Sequence, residues 1–239
     1  MPGSRASVFG EAEDFQAALS TDGVAEMLVT GRGQFLARLT QVRLERLWLA
    51  AVEESQPRIA FIAVPSGIVL VLFAIESRPS PVWGGISIRA GEIIAFGPGQ
   101  RLHASTVGPC HWGAIWVPDR QLADYGPVLS GAGFVIPPAA RWQPSRATVK
   151  ELRDLHRAAI RIAEARAGAV TNLQAAHGLE QQLLHALIEC LSAAGEKETA
   201  TVRRHRDTLA RFEDLLVAEP LPRMAAICGP GAGNRGVAT

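Results

Sequence analysis

Three tryptophans, Trp83, Trp112 and Trp116, fall in the middle of the chain, with His103 between the first two. Trp112 and Trp116 are an even number of residues apart, so on a strand they share one face. Indole rings with a polar group at the mouth of a barrel suit a small, largely apolar ligand. Trp83, His103, Trp112 and Trp116 are therefore the candidate ligand-binding residues, although core packing explains any single tryptophan as well. Arg38, Arg43, Arg58 and Arg89 are the cations that an acidic effector could use, and solvent-facing strand positions explain them equally well. Zinc or iron would need three or four converging ligands. Glu92, His103 and His111, with Cys110 beside His111, are the only group on neighbouring predicted strands. These read as core or surface polar residues, so no metal, no cofactor and no catalytic residue is assigned. The chain has no Gly-rich phosphate loop ahead of a Lys-Ser/Thr pair, no Gly-x-Ser-x-Gly elbow, no Cys-x-x-Cys and no internal repeat.

The elements that must position these groups are mostly short strands. Residues 1–10 read as a mobile start. Glu11 to Leu19 predicts a short helix with Phe15 and Leu19 on one side. From Val24 to Val117 the pattern is β. Phe35, Ala37 and Leu39 alternate with polar neighbours, and Val42, Leu44 and Leu47 leave Arg43, Glu45 and Arg46 for solvent across a bulge or register change. Ile59 to Ile75 is uncharged and apolar, but Pro65-Ser66-Gly67 interrupts it, so two buried strands explain it better than a membrane helix. Residues 83–88, 93–96, 102–107 and 112–117 are further strands. Asp119 to Tyr125 predicts one helical turn, and Gly126 to Pro144 a Gly/Pro-rich strap.

Two longer helices follow. Ser145 is a candidate N-cap for a helix to Arg166 with the stripe Val149, Leu152, Leu155, Ala159, Ile162 and Ala163. The second runs from about Thr171 to Ala194, and Leu183, Leu184, Leu187, Ile188 and Leu191 lie on its broad apolar face. That face is the expected homodimer contact; burial within one protomer is the other reading. Residues 195–198 read as a polar linker.

Bulk properties narrow the choice. The chain has 239 residues, a formal charge of +1 and 48% hydrophobic residues, ample for one domain with additions. Near-neutral charge makes any nucleic-acid argument a local one. Three widely spaced cysteines suit reduced thiols in the cytoplasm, and the acidic N-terminal stretch lacks the apolar core of an export signal.

Two stretches carry a resemblance. Val202 to Cys228, VRRHRDTLARFEDLLVAEPLPRMAAIC, resembles the opening of the DNA-binding domain in the AraC/XylS family of bacterial transcription regulators. Gly91 to His103, GEIIAFGPGQRLH, resembles the second motif of the cupin barrels, while the first, paired-His motif has no counterpart. Together they imply an α+β chain. A cupin-like β-barrel or sandwich over residues 11–144 is followed by a helical dimerisation segment over 145–195. The first helices of an incomplete AraC-type helix-turn-helix domain occupy 196–228, and a disordered tail 229–239. The resemblance gives Arg203, Arg204 and Arg206 contacts to the DNA backbone, with the helix they begin as a scaffold. Pro230 and four glycines follow Cys228, and they oppose the recognition helix that major-groove readout requires. The expectation is a regulator with a small-molecule effector and a truncated DNA-binding domain, through a reading-frame change or early stop near codon 229. It would not read DNA specifically by itself. Two other classes remain: a metal-dependent cupin enzyme, and an inactive subunit that pairs with an intact regulator.

Overall fold

The computed structural model describes residues 3–20, 23–76, 81–130, 134, 136–165, 172–192, 195–197, 208 and 211. Arg203, Arg204, Arg206, Cys228 and the Gly-rich tail lie outside the described residues. The chain runs β1 (Gly3–Phe9), α1 (Ala12–Ser20), β2 (Val24–Val29), β3 (Ala37–Arg43), β4 (Trp48–Glu54), β5 (Arg58–Ala63) and β6 (Ile68–Ala74). It continues through β7 (Val82–Trp83), β8 (Ile86–Ser87), β9 (Ile93–Phe96), β10 (Arg101–Ser105), β11 (Cys110–Pro118), α2 (Asp119–Ser130) and β12 (Ala139–Trp142). Helices α3 (Arg146–Ala165) and α4 (Leu173–Ser192) and the short β13 (Gly195–Lys197) follow. An eight-stranded sheet has the order β1-β3-β4-β11-β6-β9-β12-β13, and a five-stranded sheet the order β2-β5-β10-β7-β8. All the pairings are antiparallel.

Strand parity builds two cores on the large sheet. Ala50, Val52, Leu70, Leu72, Ile94, Phe96, Trp112, Ala114 and Trp116 face the small sheet in one apolar cluster. The residues between them, Leu49, Ala51, Val69, Val71, Phe73, Ile93, Ala95, Ile115 and Val117, face the helices in the other. A sheet buried on both faces needs apolar side chains at consecutive positions. That is why β6 reads as a continuous apolar run, with Val69 to Ala74 all buried. Its neighbour in sequence, β5, alternates because it lies in the other sheet, whose far face is open. No helix among the described residues is long and apolar enough to cross a membrane.

Helix ends follow local chemistry. Ser145 caps α3: its Oγ accepts from the Thr148 amide at 3.1 Å. Asn172 caps α4, its Oδ1 accepting from the amides of Gln174 and Ala175 at 3.1 Å each. In α1, Phe15 and Leu19 are buried as their spacing predicts.

Several elements differ from the sequence expectation. Residues 3–9 form a strand instead of a mobile start, because β3 offers an edge with which β1 pairs along its whole length. Residues 83–88 are not one strand. Gly84 and Gly85, at φ +56° and +79°, turn the chain so that Trp83 pairs with Ile86; two successive positive φ values make the tight hairpin turn that only glycine enters freely. The β3 strand ends at Arg43, and the amide of Leu44 bonds the Leu47 carbonyl to start a hairpin into β4. The single turn expected at Asp119 to Tyr125 is the longer α2, which runs into the strap as far as Ser130; the strap also contains β12, which pairs with β9, and the linker contains β13, which pairs with β12.

The face of α4 is also reassigned. Leu183, Leu184, Leu187, Ile188 and Leu191 are at most 5% exposed in the single chain. They pack in the cluster shared with the outer face of the large sheet and with α3. That sheet face is itself apolar, so α4 is covered by its own barrel and these residues are closed to a second copy. Leu187→Ala should therefore lower stability by about 2–5 kcal/mol in urea unfolding and leave the sedimentation coefficient unchanged. A shift in sedimentation without loss of stability would return these residues to an interface.

Candidate functional site

The predicted aromatic cluster exists as packing. Trp83 and Trp112 meet edge to face at 6.2 Å, and Trp116 stacks on Trp48 at 6.0 Å. Trp83, Trp112 and Trp116 are at most 3% exposed and fill the space between the sheets, and none of them lines a cavity among those described. His103 does not join them. Leu102 and Ala104 on either side take the inward positions, so strand parity turns His103 outward, where its ring lies 5.4 Å from Phe61.

Arg58 is not a free cation. Glu54 Oε1 accepts from Arg58 Nη2 at 3.0 Å and from Trp112 Nε1 at 2.6 Å, and its Oε2 accepts from Arg58 Nε. The guanidinium lies 5.7 Å over the Trp112 ring, and both charged groups are 1% exposed. A buried pair held by several hydrogen bonds is structural, since removal of either partner strands a charge. The nearby Cys110 thiol is pushed up to about 12 by burial first and then by the Glu54 charge. It is protonated at neutral pH, which makes it a poor nucleophile.

The expected metal residues do not converge. Glu92 is held by the Arg89 amide at 2.9 Å and Gln143 at 3.1 Å. His103 lies outside the small sheet and His111 outside the large one. Among the described residues, Glu45, His177 and Glu180 do bring ligand atoms within 4.8 Å of one another. Arg46 already occupies that place: its amide bonds Glu180 Oε1, its Nε bonds Oε2 at 3.2 Å, and its Nη2 reaches His177 Nδ1 at 3.3 Å. A guanidinium there neutralises the one buried carboxylate and does not fit a metal ion beside it.

The cavity with chemistry lies between α3 and the outer face of the large sheet, with a volume of about 310 Å³. Three cross-strand rows set its character. Val42, Leu49, Ile115 and Val71 form a sealed apolar row. Thr40, Ala51, Gly113 and Phe73 form the next, where small side chains leave space. Arg38, Glu53 and His111 form a polar row at the rim. From the other side α3 contributes Arg153, His156, Arg157, Ile160, Arg161 and Glu164, the three- and four-residue spacing of one helix face.

Polar contacts hold this helix on the sheet. Arg153 Nη2 donates to the Ile75 carbonyl at 2.5 Å, and Thr40 Oγ1 donates to Glu164 Oε1 at 3.0 Å. His156 is 1% exposed, and its Nε2 donates to the Ala50 carbonyl at 3.0 Å. Its ring meets Phe73 edge-on at 5.0 Å. Gly113 makes room for both rings: a Cβ there would stand 2.5 Å from Phe73 and 3.1 Å from His156. Burial of the imidazole, only partly offset by its backbone hydrogen bonds, holds His156 down to about 4, so it is neutral here. Asp154 bonds Lys150 at 2.5 Å and Arg157 at 2.8 Å, and the Lys150 hydrogen bond leads in holding its carboxyl below the usual range.

Of the residues singled out in the sequence, only Arg38, weighed as a cation for an acidic effector, and His111, weighed as a metal ligand, reach this cleft. The arginines of α3 at four-residue intervals were legible as a row; His156 was not on the predicted stripe, although it stands four residues from Leu152 and is buried with it, while Ile162 of that stripe is exposed. Neither feature shows, without the fold, that Ala51 and Phe73 stand on the wall opposite.

No family model matches the chain, and no curated protein matches it in sequence. Its structure is similar to the crystal structure of the AraC-like transcriptional activator CuxR, with a TM-score of 0.54, 14% identity, 91% of this chain and 81% of that chain covered. That likeness shows a shared fold. Shorter similarities are to an RmlC-like cupin from Shewanella frigidimarina (TM-score 0.27, 12% identity, 39% of this chain and 83% of that chain) and to the EutQ protein of Clostridium difficile (TM-score 0.28, 15% identity, 47% and 94%).

Buried neutral His156 has a pH signature. Its folded pKa, about 4, lies below the ordinary 6.5, so its contribution to stability is complete above pH 6.5. It is lost as pH falls from there towards 4, where the unfolded chain binds a proton that the folded chain refuses. The total is roughly 3 kcal/mol. Urea unfolding of wild type and His156→Gln between pH 4.5 and 7 should show the steeper loss in wild type; parallel curves would disprove the assignment.

Proposed function

We propose that the chain is the ligand-sensing part of an AraC-type transcriptional regulator, and that the cleft under α3 holds its effector. The observation that carries this reading is the shared fold: the likeness to an AraC-like activator runs through 91% of the chain, across sandwich and helices together. The resemblance of residues 202–228 to the opening of an AraC-type DNA-binding domain supports it independently, as does the cupin-like motif of residues 91–103. In this reading the sandwich over 11–144 is the sensor and the segment over 145–195 couples it to the regulatory domain.

The coupling has a physical route. A ligand in the cleft touches the large sheet on one side and α3 on the other, and α3 packs along α4. A ligand that binds one seating of α3 more tightly shifts the helix pair towards it, and α4 leads to the residues that begin the DNA-binding resemblance. In this reading the arginines of the cleft hold an anion: guanidinium groups stay protonated and donate hydrogen bonds without transferring a proton. Pairing of two copies belongs to the same reading, through a surface other than the buried leucines of α4. Pro230 and the four glycines of residues 229–239 oppose the helix that base readout would need in that stretch, and we infer that this chain does not read DNA specifically by itself.

On DNA from upstream of its own gene, gel-shift assays should show only weak, sequence-indifferent retardation that disappears between about 50 and about 200 mM salt. A tight complex that survives the higher salt would overturn that inference. Transcript levels compared between cells producing the wild-type chain and cells producing Ala51→Phe should differ at a small set of promoters. Identical profiles would sink the regulatory reading.

A further inference from the structure

We propose that the cleft binds a small organic anion, with a compact apolar body seated on Ala51, Phe73 and Ile160 and a carboxylate-type head among the arginines. The inference rests on the reading of the cleft as the effector site and adds the class of ligand.

Charge and size select that class. Four arginines face two glutamates in the lining, an excess that one or two negative charges neutralise. The volume of about 310 Å³, at the small end of ligand pockets, suits a small ligand. A bare inorganic anion would leave the floor of Ala51, Phe73 and Ile160 uncovered. The arrangement is graded, with apolar groups deep between sheet and helix and cations towards the rim.

The arginines differ in their freedom to bind. Arg153 is engaged by the Ile75 carbonyl and Arg157 by Asp154. Among the described residues neither Arg38 nor Arg161 forms a hydrogen bond or an ion pair. They approach from opposite walls, Arg38 from β3 and Arg161 from α3. Arg157 stands one helical turn from Arg161, about 6 Å along the axis. A carboxylate between these groups would accept charge-assisted hydrogen bonds from both walls and would tie α3 to the sheet, which is what a sensor of this build requires.

Titration calorimetry of the full chain with 2-naphthoate and 2-naphthol tests this, since the probes share a ring body and differ in charge. Naphthoate should bind at least tenfold more tightly than naphthol. The double variant Arg157→Gln/Arg161→Gln should lose that preference, and Ala51→Phe should abolish binding of both. Equal binding of the two probes, unaffected in the double variant but abolished by Ala51→Phe, would overturn the anion class and leave the cleft as a site for neutral ligands. Failure of both probes to bind, or binding untouched by Ala51→Phe, would overturn the cleft as the effector site too. Hydrogen exchange of the wild type keeps the test decisive if Ala51→Phe does not fold. Naphthoate must then slow exchange within residues 153–164, and no slowing there counts against the proposal.

Discussion

The large sheet is buried on both faces, and the rest of the structure follows from that constraint. One face must be covered by a second sheet and the other by helices, so its strands carry apolar residues at consecutive positions. Odd and even residues of β4, β6, β9 and β11 then belong to different cores. Trp83, Trp112 and Trp116 go to the inter-sheet core, and the leucines of α4 go to the outer one together with Trp142. The cleft lies over Ala51, a small residue on β4, while the neighbouring Gly113 leaves room for the Phe73 and His156 rings that form its wall.

Charged and imidazole groups inside these layers are few, and three of them tie elements together. Glu54 satisfies Arg58 and the Trp112 indole together, which pins the end of β4 against β5 and β11. His156 occupies a position of the apolar stripe on α3, and its bond to the Ala50 carbonyl joins helix to sheet. Arg46 does the same for α4 and α2, reaching Glu180 and, at 2.9 Å, the Tyr125 hydroxyl. Left unpaired in such surroundings, these groups would cost several kcal/mol apiece. They fix the seating of each helix more specifically than apolar contact alone.

The functional reading joins these two features. Helix α3 is held to the sheet by apolar packing along most of its buried face, and by a polar, partly open seam where the arginines stand. A ligand at that seam adds contacts between two elements already in register, so its binding energy acts on the seating of α3. In that reading the seating is shared with α4, whose leucines are packed against α3 and the sheet.

Much of the fold was legible in the residues alone. Phe15 and Leu19 at helical spacing, Ser145 ahead of a helical stripe, and the common face of Trp112 and Trp116 all depend on local geometry, which the periods of helix and strand encode directly. The turn at Gly84-Gly85 was legible in principle, since two adjacent glycines permit positive φ, but alternation on both sides conceals it. What covers an apolar face is not encoded locally. The stripe on α4 is equally suited to a partner or to its own barrel, and the sheet's outer face decided for the barrel. The β1 edge pairing and β12 needed partners that lie far along the chain. The cleft needed most of all: its residues come from positions 38 to 164, and each one alone is an ordinary surface arginine, a small strand residue or a core aromatic. Side-chain type sets what a group can bind, but only the tertiary structure brings groups from separate elements within reach of one ligand.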